Sequence, residues 1–292
     1  MNQKELRQKI LNLESVAGIN ALLKDIGKLN NAGRDIIIQA LSTELNSNKK
    51  QQFIARLRSE AVKADTAVKQ WVEQSIAPVY VSGVNQATKM FEVSKKKFKL
   101  STPEGVFMGK VTVTTLGKEK LLAPHLQAVN SLLADAYLDF GNTITGFVKG
   151  GERILNDQLK RQIRNTISQG VLDGAGIREV KKNVKEVFAN KGFTVLLDKG
   201  GRQWELQNYS EMLARTHVLR ANNEGVINRA GDFGIDIVEI SSHGSDCPVC
   251  GKEEGKIYSI SGKSKKYKAI TGHEPPFHPR CKHTLMLRPD LS

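Results

Sequence analysis

Five residues near the C-terminal end have the types and spacing of a metal site: Cys247-Pro-Val-Cys250, then His278-Pro-Arg-Cys281-Lys-His283. A Cys-x-x-Cys turn places two thiolates on one side of a tight loop. A later His/Cys pair can complete the tetrahedron that zinc accepts. The predicted ligand set is Cys247, Cys250, His278 and Cys281, with His283 or His243 able to replace a member. Four protein ligands leave no coordination position for water or substrate, so such a zinc would be structural. Two other readings stand beside it. The cysteine pair can be a redox couple, although no strand-then-helix setting surrounds it, or it can be two thiols near a turn. The 27 residues between Cys250 and His278 are basic and contain glycine, as a surface excursion would.

The elements that would position these residues are mostly helical. Apolar residues recur at three- and four-residue spacing through Leu6, Ile10 and Leu13, and again through Leu22, Leu23, Ile26 and Leu29. Asn30-Asn-Ala-Gly33 breaks the pattern, and a second helix follows through Ile36 and Leu41. Amphipathic helix continues from Lys49 to about Met90, with Ser82-Gly83 either kinking it or absorbed into it. Residues 92 to 119 mix turn residues with a β-branched run, Val111-Thr-Val-Thr-Thr, and read as a loop with a short strand. Helix resumes from about Leu121 to Phe140 and from Gly150 to Ser168, then from Ile177 to Phe188 after Asp173-Gly-Ala-Gly176. Two apolar runs around Lys199-Gly-Gly-Arg202 predict a β-hairpin. Asn208 or Ser210 is a candidate cap for the next helix, which runs to about Ala230. Gly234 to Ser241 alternates as a half-buried strand, and the cysteines follow it directly.

The expected fold class is α+β, mainly helical. Residues 1–91 form an elongated helical arm, 92–119 a β-containing insertion, 120–192 a helical middle region, and 193–292 a C-terminal domain with a hairpin and a zinc knuckle. No run of 18 apolar residues predicts a membrane span. The polar N-terminus carries no signal-peptide pattern. Three clustered cysteines argue against a secreted disulfide framework and for a reducing cytosol. The net charge of +14 and a pI near 9.6 suit an anionic partner such as DNA, although solvated helix faces carry such charge without one. The dense basic runs are Lys95–Lys99 and Lys263–Lys268.

Gly201-Arg-Gln-Trp204, Tyr209-Ser-Glu-Met-Leu-Ala-Arg-Thr216, Asn222-Asn-Glu-Gly225, Gly234-Ile-Asp-Ile-Val238 and Ser241-Ser-His243-Gly-Ser-Asp-Cys247-Pro-Val-Cys250 occur in that order. Glu254-Gly255-Lys-Ile-Tyr258 and Pro276-Phe-His278-Pro-Arg-Cys281-Lys-His283 complete the series. This block of about 95 residues resembles the minor capsid proteins of tailed bacteriophages, the Mu F-like head morphogenesis family. The resemblance implies a few-copy head protein associated with the portal inside the procapsid. It would contact capsid or scaffold proteins and packaged DNA without sequence specificity, act in head morphogenesis, and take part in DNA delivery in some cases. It would reside in the virion, and in the host cytoplasm during assembly. Some relatives carry a C-terminal effector; with nine residues after His283, none is expected here.

An enzyme is not expected. A His-metal nuclease needs a general-base histidine beside an aspartate and a metal with open positions. Here His278 serves better as a ligand. Glu211 and Arg215 read as an ordinary i,i+4 ion pair, and Trp204 and Tyr209 as core anchors. The alternative function is a basic zinc-ribbon module that binds nucleic acid outside a virion.

Overall fold

The structure is a computed structural model that describes residues 12, 13, 15, 17–42, 47–98, 123–154, 165, 195–197 and 203–292. Four long helices dominate the described residues: α1 (Ile19–Ser42), α2 (Ser47–Phe98), α3 (Ala123–Ile154) and α4 (Leu206–Asp232). Strands β1 (Val195–Leu197) and β2 (Gln203–Glu205) form one antiparallel pair. β3 (Ile237–Ile240), β4 (Ile257–Ser259) and β5 (Leu285–Leu287) form an antiparallel sheet in the order β4-β3-β5. The protein is therefore mainly helical, with a small three-stranded sheet toward its C-terminus. By contacts it divides into two compact units: residues 1–19, 71–136 and 212–292, and residues 20–70 and 137–211.

Apolar stripes of its helices build the second unit. Leu22, Ile26, Leu29, Ile37, Leu57, Val68, Phe140 and Phe147 are all buried. α1 passes unbroken through Asn30-Asn-Ala-Gly33, where the residue types predicted a break. Gly33 is needed there for packing: a Cβ on it would lie 2.7 Å from the Phe147 ring and 3.2 Å from Leu57. The tertiary contact overrides local turn chemistry. In the β1–β2 pair, Leu196 stands opposite Trp204, as the hairpin signal predicts; the turn at 198–202 lies outside the described residues. Trp204 and Tyr209 are half-buried and meet edge to face at 5.9 Å.

The first unit rests on an unusually close helix pair. A Cβ on Gly83 of α2 would stand 2.0 Å from the Asn222 carbonyl oxygen of α4, and one on Gly225 of α4 would stand 2.2 Å from the Tyr80 carbonyl oxygen of α2. Each glycine thus admits the other helix's backbone. Ser82-Gly83 is absorbed into the helix and does not end it. Below this crossing, Ala87, Phe91, Val226, Ala230 and Phe233 pack against Val238, Ile240, Tyr258, Leu285 and Leu287 of the sheet. Phe91 and Phe233 stack at 4.3 Å.

A buried polar network lies in the same unit. The Tyr80 hydroxyl and His125 Nδ1 are 2.7 Å apart, and Asn228 donates to the same hydroxyl at 2.9 Å. His125 Nε2 meets Asp232 at 2.9 Å. Arg229, 2% exposed, donates to Asp232 at 3.0 Å and to Thr88 Oγ1 at 3.0 Å, and its guanidinium lies 4.6 Å from the Phe233 ring centre. Burial pushes the Asp232 carboxyl up, but hydrogen bonds from His125 and Arg229 outweigh it and hold the carboxyl below its ordinary range.

Several expected boundaries shift. α2 continues to Phe98, so residues 92–98 are helical, and residues 99–119 lie outside the described set. α3 is continuous through residues 141–149, where an interruption was expected. α4 begins at Leu206, so Asn208 and Ser210 lie inside it and cap nothing. Ser210 is fully buried. The helix expected over 177–188 lies outside the described residues. β4 and β5 were not foreseen.

Gly83→Ala and Gly225→Ala are each expected to lower stability by about 1–3 kcal/mol, at the upper end because the obstruction is backbone. Gly231→Ala, whose added Cβ would meet nothing within 4 Å, serves as the control in thermal unfolding. Asp232 has a folded pKa below its unfolded one, so its stabilising contribution is present above about pH 4 and fades as pH falls through the folded value. Asp232→Asn should therefore cost most near neutral pH, and its deficit against the parent should shrink in acid. A pH-independent deficit in urea titrations would contradict this.

Candidate metal centre

The turn that carries Cys247 and Cys250 is set by its neighbours. The Gly251 N–H donates to the Cys247 carbonyl at 2.8 Å, and the Cys247 N–H donates to Ser245 Oγ at 3.2 Å. Gly251 has no substitute here, since a Cβ would fall 2.3 Å from the Ser245 carbonyl oxygen. Glu254 closes the loop from the other side. Its carboxylate accepts the N–H groups of Gly244 at 2.9 Å and Ser245 at 3.0 Å.

The second half of the site is delivered by the chain between β4 and β5. The Cys281 N–H donates to the His278 carbonyl at 3.1 Å, and Arg280 takes φ +64 between them, which makes a tight turn. Asn223 of α4 holds both ends of this segment. Its amide donates to the Pro275 carbonyl at 3.0 Å and lies 3.5 Å from the His283 carbonyl, while its Oδ1 accepts the Leu285 N–H at 3.1 Å. Reciprocal bonds between Ser241 and Thr284, both 2.9 Å, continue the β3–β5 pairing up to the cluster.

The predicted donors gather in overlapping triads, and Cys281 groups with Cys250 and His283 and not with Cys247 or His278. Among the described residues, the groups whose ligating atoms lie within 4.8 Å of one another are Cys247/Cys250/His278, Cys250/Cys281/His283 and His243/Glu254/His283. Cys250, 3% exposed, belongs to the first two and is the hub. His278 Nε2 stands 3.1 Å from Cys250 Sγ and 3.4 Å from Cys247 Sγ, and Cys281 Sγ stands 3.4 Å from His283 Nδ1. A zinc tetrahedron with bonds of about 2.3 Å to sulfur and 2.0–2.1 Å to nitrogen has edges of roughly 3.5 Å. The pairwise spacings within each Cys/His triad are close to such edges.

The outer contacts of both histidines fit as well. His278 Nδ1 lies 2.7 Å from the Pro279 carbonyl, an acceptor only, so Nδ1 carries the proton and the Nε2 lone pair faces the thiols. His283 Nε2 meets Glu254 Oε1 at 2.9 Å, which frees Nδ1 toward Cys281. A carboxylate or carbonyl behind each imidazole is the usual way a ligating histidine is oriented. The third triad is a poorer ion site, because both Glu254 oxygens already accept hydrogen bonds. It serves better as the support for His283, with the His243 ring tilted against it at 4.1 Å.

The electrostatics show why Cys250 needs a partner. Burial raises its thiol to about 11, whereas backbone N–H groups of Cys250 and Val249 hold the Cys247 thiol below its ordinary value. Burial also raises the Cys281 thiol, but hydrogen bonds from the His283 ring and the backbone outweigh it and leave it lowered. Burial depresses His283, and Cys281 and Glu254 outweigh that, so its pKa is raised. Glu254 and Asn223 were not assigned roles from sequence. The only signal was that both fall in the ordered motif series.

The comparisons place the chain among phage minor capsid proteins. The sequence profile of the phage minor capsid protein 2 family matches residues 108–286, so the chain belongs to that family. The match includes every candidate ligand and extends well upstream of the block that carried the resemblance. A "structural protein" of Lactococcus phage LL-H is 25% identical over 87 residues, which is 30% of this chain and 21% of that relative. The chain thus aligns with about a fifth of the relative's length. No solved structure matches.

Purified protein is expected to carry about one zinc per chain, measured by elemental mass spectrometry. Cys250→Ser should abolish that content, and chelation should speed hydrogen exchange across residues 237–287 while the exchange of α1 stays unchanged. Metal-free protein with the same exchange pattern as the metal-treated sample would exclude a structural zinc.

Proposed function

We propose that this chain is a minor structural component of the phage head that associates with the portal inside the procapsid and acts in head morphogenesis. Membership of the phage minor capsid protein 2 family carries the structural role. The portal association rests on the resemblance of the block from Gly201 to His283 to Mu F-like head proteins. The protein works in the host cytoplasm during assembly and stays in the particle afterwards. Capsid or scaffold proteins are its other partners, and its net charge of +14 suits it to dense DNA and to delivery alongside it.

In this reading the zinc is structural. Cys247, Cys250, His278 and Cys281 would hold it, with His283, backed by Glu254, as the exchangeable member. A metal there would supply folding free energy to a segment of three short strands, on the order of 10–16 kcal/mol of apparent binding in peptide systems. The role is not enzymatic: a closed set of protein ligands leaves no position for an activated water.

Quantitative mass spectrometry of purified procapsids and mature particles tests the proposal. A few copies per portal ring in both are expected, with Cys250→Ser reducing incorporation. Absence from both particle types would overturn it and favour a free nucleic-acid-binding module.

A further inference from the structure

The basic loop that follows β4, residues 261–269, is a second built feature that neither the metal centre nor the core uses. It leaves the sheet at Ser259 and returns at Ala269. Its neck is closed by the Ser259 N–H to the Lys268 carbonyl at 2.8 Å and the Ile270 N–H to the Ser259 carbonyl at 2.9 Å. Asp236 fixes the outgoing side, accepting from Ser259 Oγ at 2.6 Å and from the Ser261 N–H at 2.7 Å. Ser261 Oγ accepts the Lys263 N–H at 3.1 Å, and Ser264 Oγ accepts the N–H groups of Lys266 and Tyr267 at 3.3 and 3.2 Å. The loop backbone is thus folded by its own serines.

What it presents is charge. Lys263, Lys265, Lys266 and Lys268 are all exposed, and among the described residues none is in an ion pair with a carboxylate. Lys266 Nζ lies 5.0 Å from the Tyr267 ring centre. Residues 233–292 contain nine Lys and Arg against seven Asp and Glu, and four of the nine sit in this loop, which has no acidic residue. Without the loop this segment would be net acidic. Its positive charge is therefore concentrated at one place and not spread as a solvated background. Asp236, the carboxylate nearest the neck, is engaged by the serines and also feels the charge of Lys263.

We infer that the Lys263–Lys268 loop is a phosphate-binding contact for duplex DNA, independent of sequence. Four exposed ammonium groups carried on one short loop with an ordered backbone can meet backbone phosphates and release the counterions condensed there. No base-reading side chain accompanies them, so the contact discriminates charge and not sequence. The inference rests on the head-interior reading only for where DNA would be met.

The test uses the full-length chain and a short mixed-sequence duplex, with binding followed by fluorescence anisotropy across a salt series. The loop variant carries Lys263→Gln, Lys265→Gln, Lys266→Gln and Lys268→Gln. The control carries Lys24→Gln, Lys28→Gln, Lys63→Gln and Lys69→Gln, four exposed helix lysines of which the last three pair with Asp25, Glu60 and Asp65. Each phosphate contact contributes about 0.9 to the slope of log K against log salt, so the loop variant should lose about 2–4 units of slope. Affinity at low salt should fall at least about tenfold, with zinc content unchanged and the control close to the parent. An unchanged slope in the loop variant, or an equal loss in the control, would overturn the inference. Loop-dependent binding by a chain missing from particles would instead sink the head-protein reading and leave this one standing.

Discussion

The direct backbone contact between α2 and α4 is the constraint on which the first unit depends. Gly83 admits the Asn222 carbonyl and Gly225 admits that of Tyr80, so the two helices sit closer than any side chain would allow. The next residue after Asn222 is Asn223, whose amide holds Pro275, His283 and Leu285. The closeness of the helices therefore sets where the tail strand lies, and the tail strand sets where the Cys/His cluster can close. About two turns further along α4, Arg229 and Asp232 are met by His125, Thr88 and Phe233. A buried arginine is tolerated only because charge, hydrogen bonds and an aromatic face all meet it there.

Much of this was legible in the sequence, though unevenly. The helical periodicity of α1 to α4, the apolar flanks of the β1–β2 turn and the alternating run of β3 all show in local patterns. β4 and β5 do not, because Ile257-Tyr-Ser and Leu285-Met-Leu are three residues each and become strands only by pairing with β3. Asn30-Asn-Ala-Gly33 and Asn208 misled for a related reason. Their residue types favour turns and caps in isolation, and packing decides otherwise. The donors of the cluster announced themselves by type and spacing. Their supports did not: Glu254, Gly251 and Asn223 act through hydrogen bonds and clearances created when distant segments meet.

The division of labour within the cluster follows from burial. Cys250 is the enclosed donor and resists ionisation, while Cys247 sits nearer solvent with its thiolate favoured by backbone N–H groups. His278 and His283 are each held by an acceptor that fixes the ring. An ion bound there would supply the deprotonation of Cys250 that burial opposes.

Asn223 also has a thermodynamic consequence. One side chain belongs at once to the helix crossing and to the segment bearing His278, Cys281 and His283, so the two are a single energetic unit. By reciprocity, whatever part of ion binding is coupled to the Gly83–Gly225 contact through Asn223 works equally in both directions. Occupancy of the cluster would then act as a gauge of how well two helices far along the chain have come together.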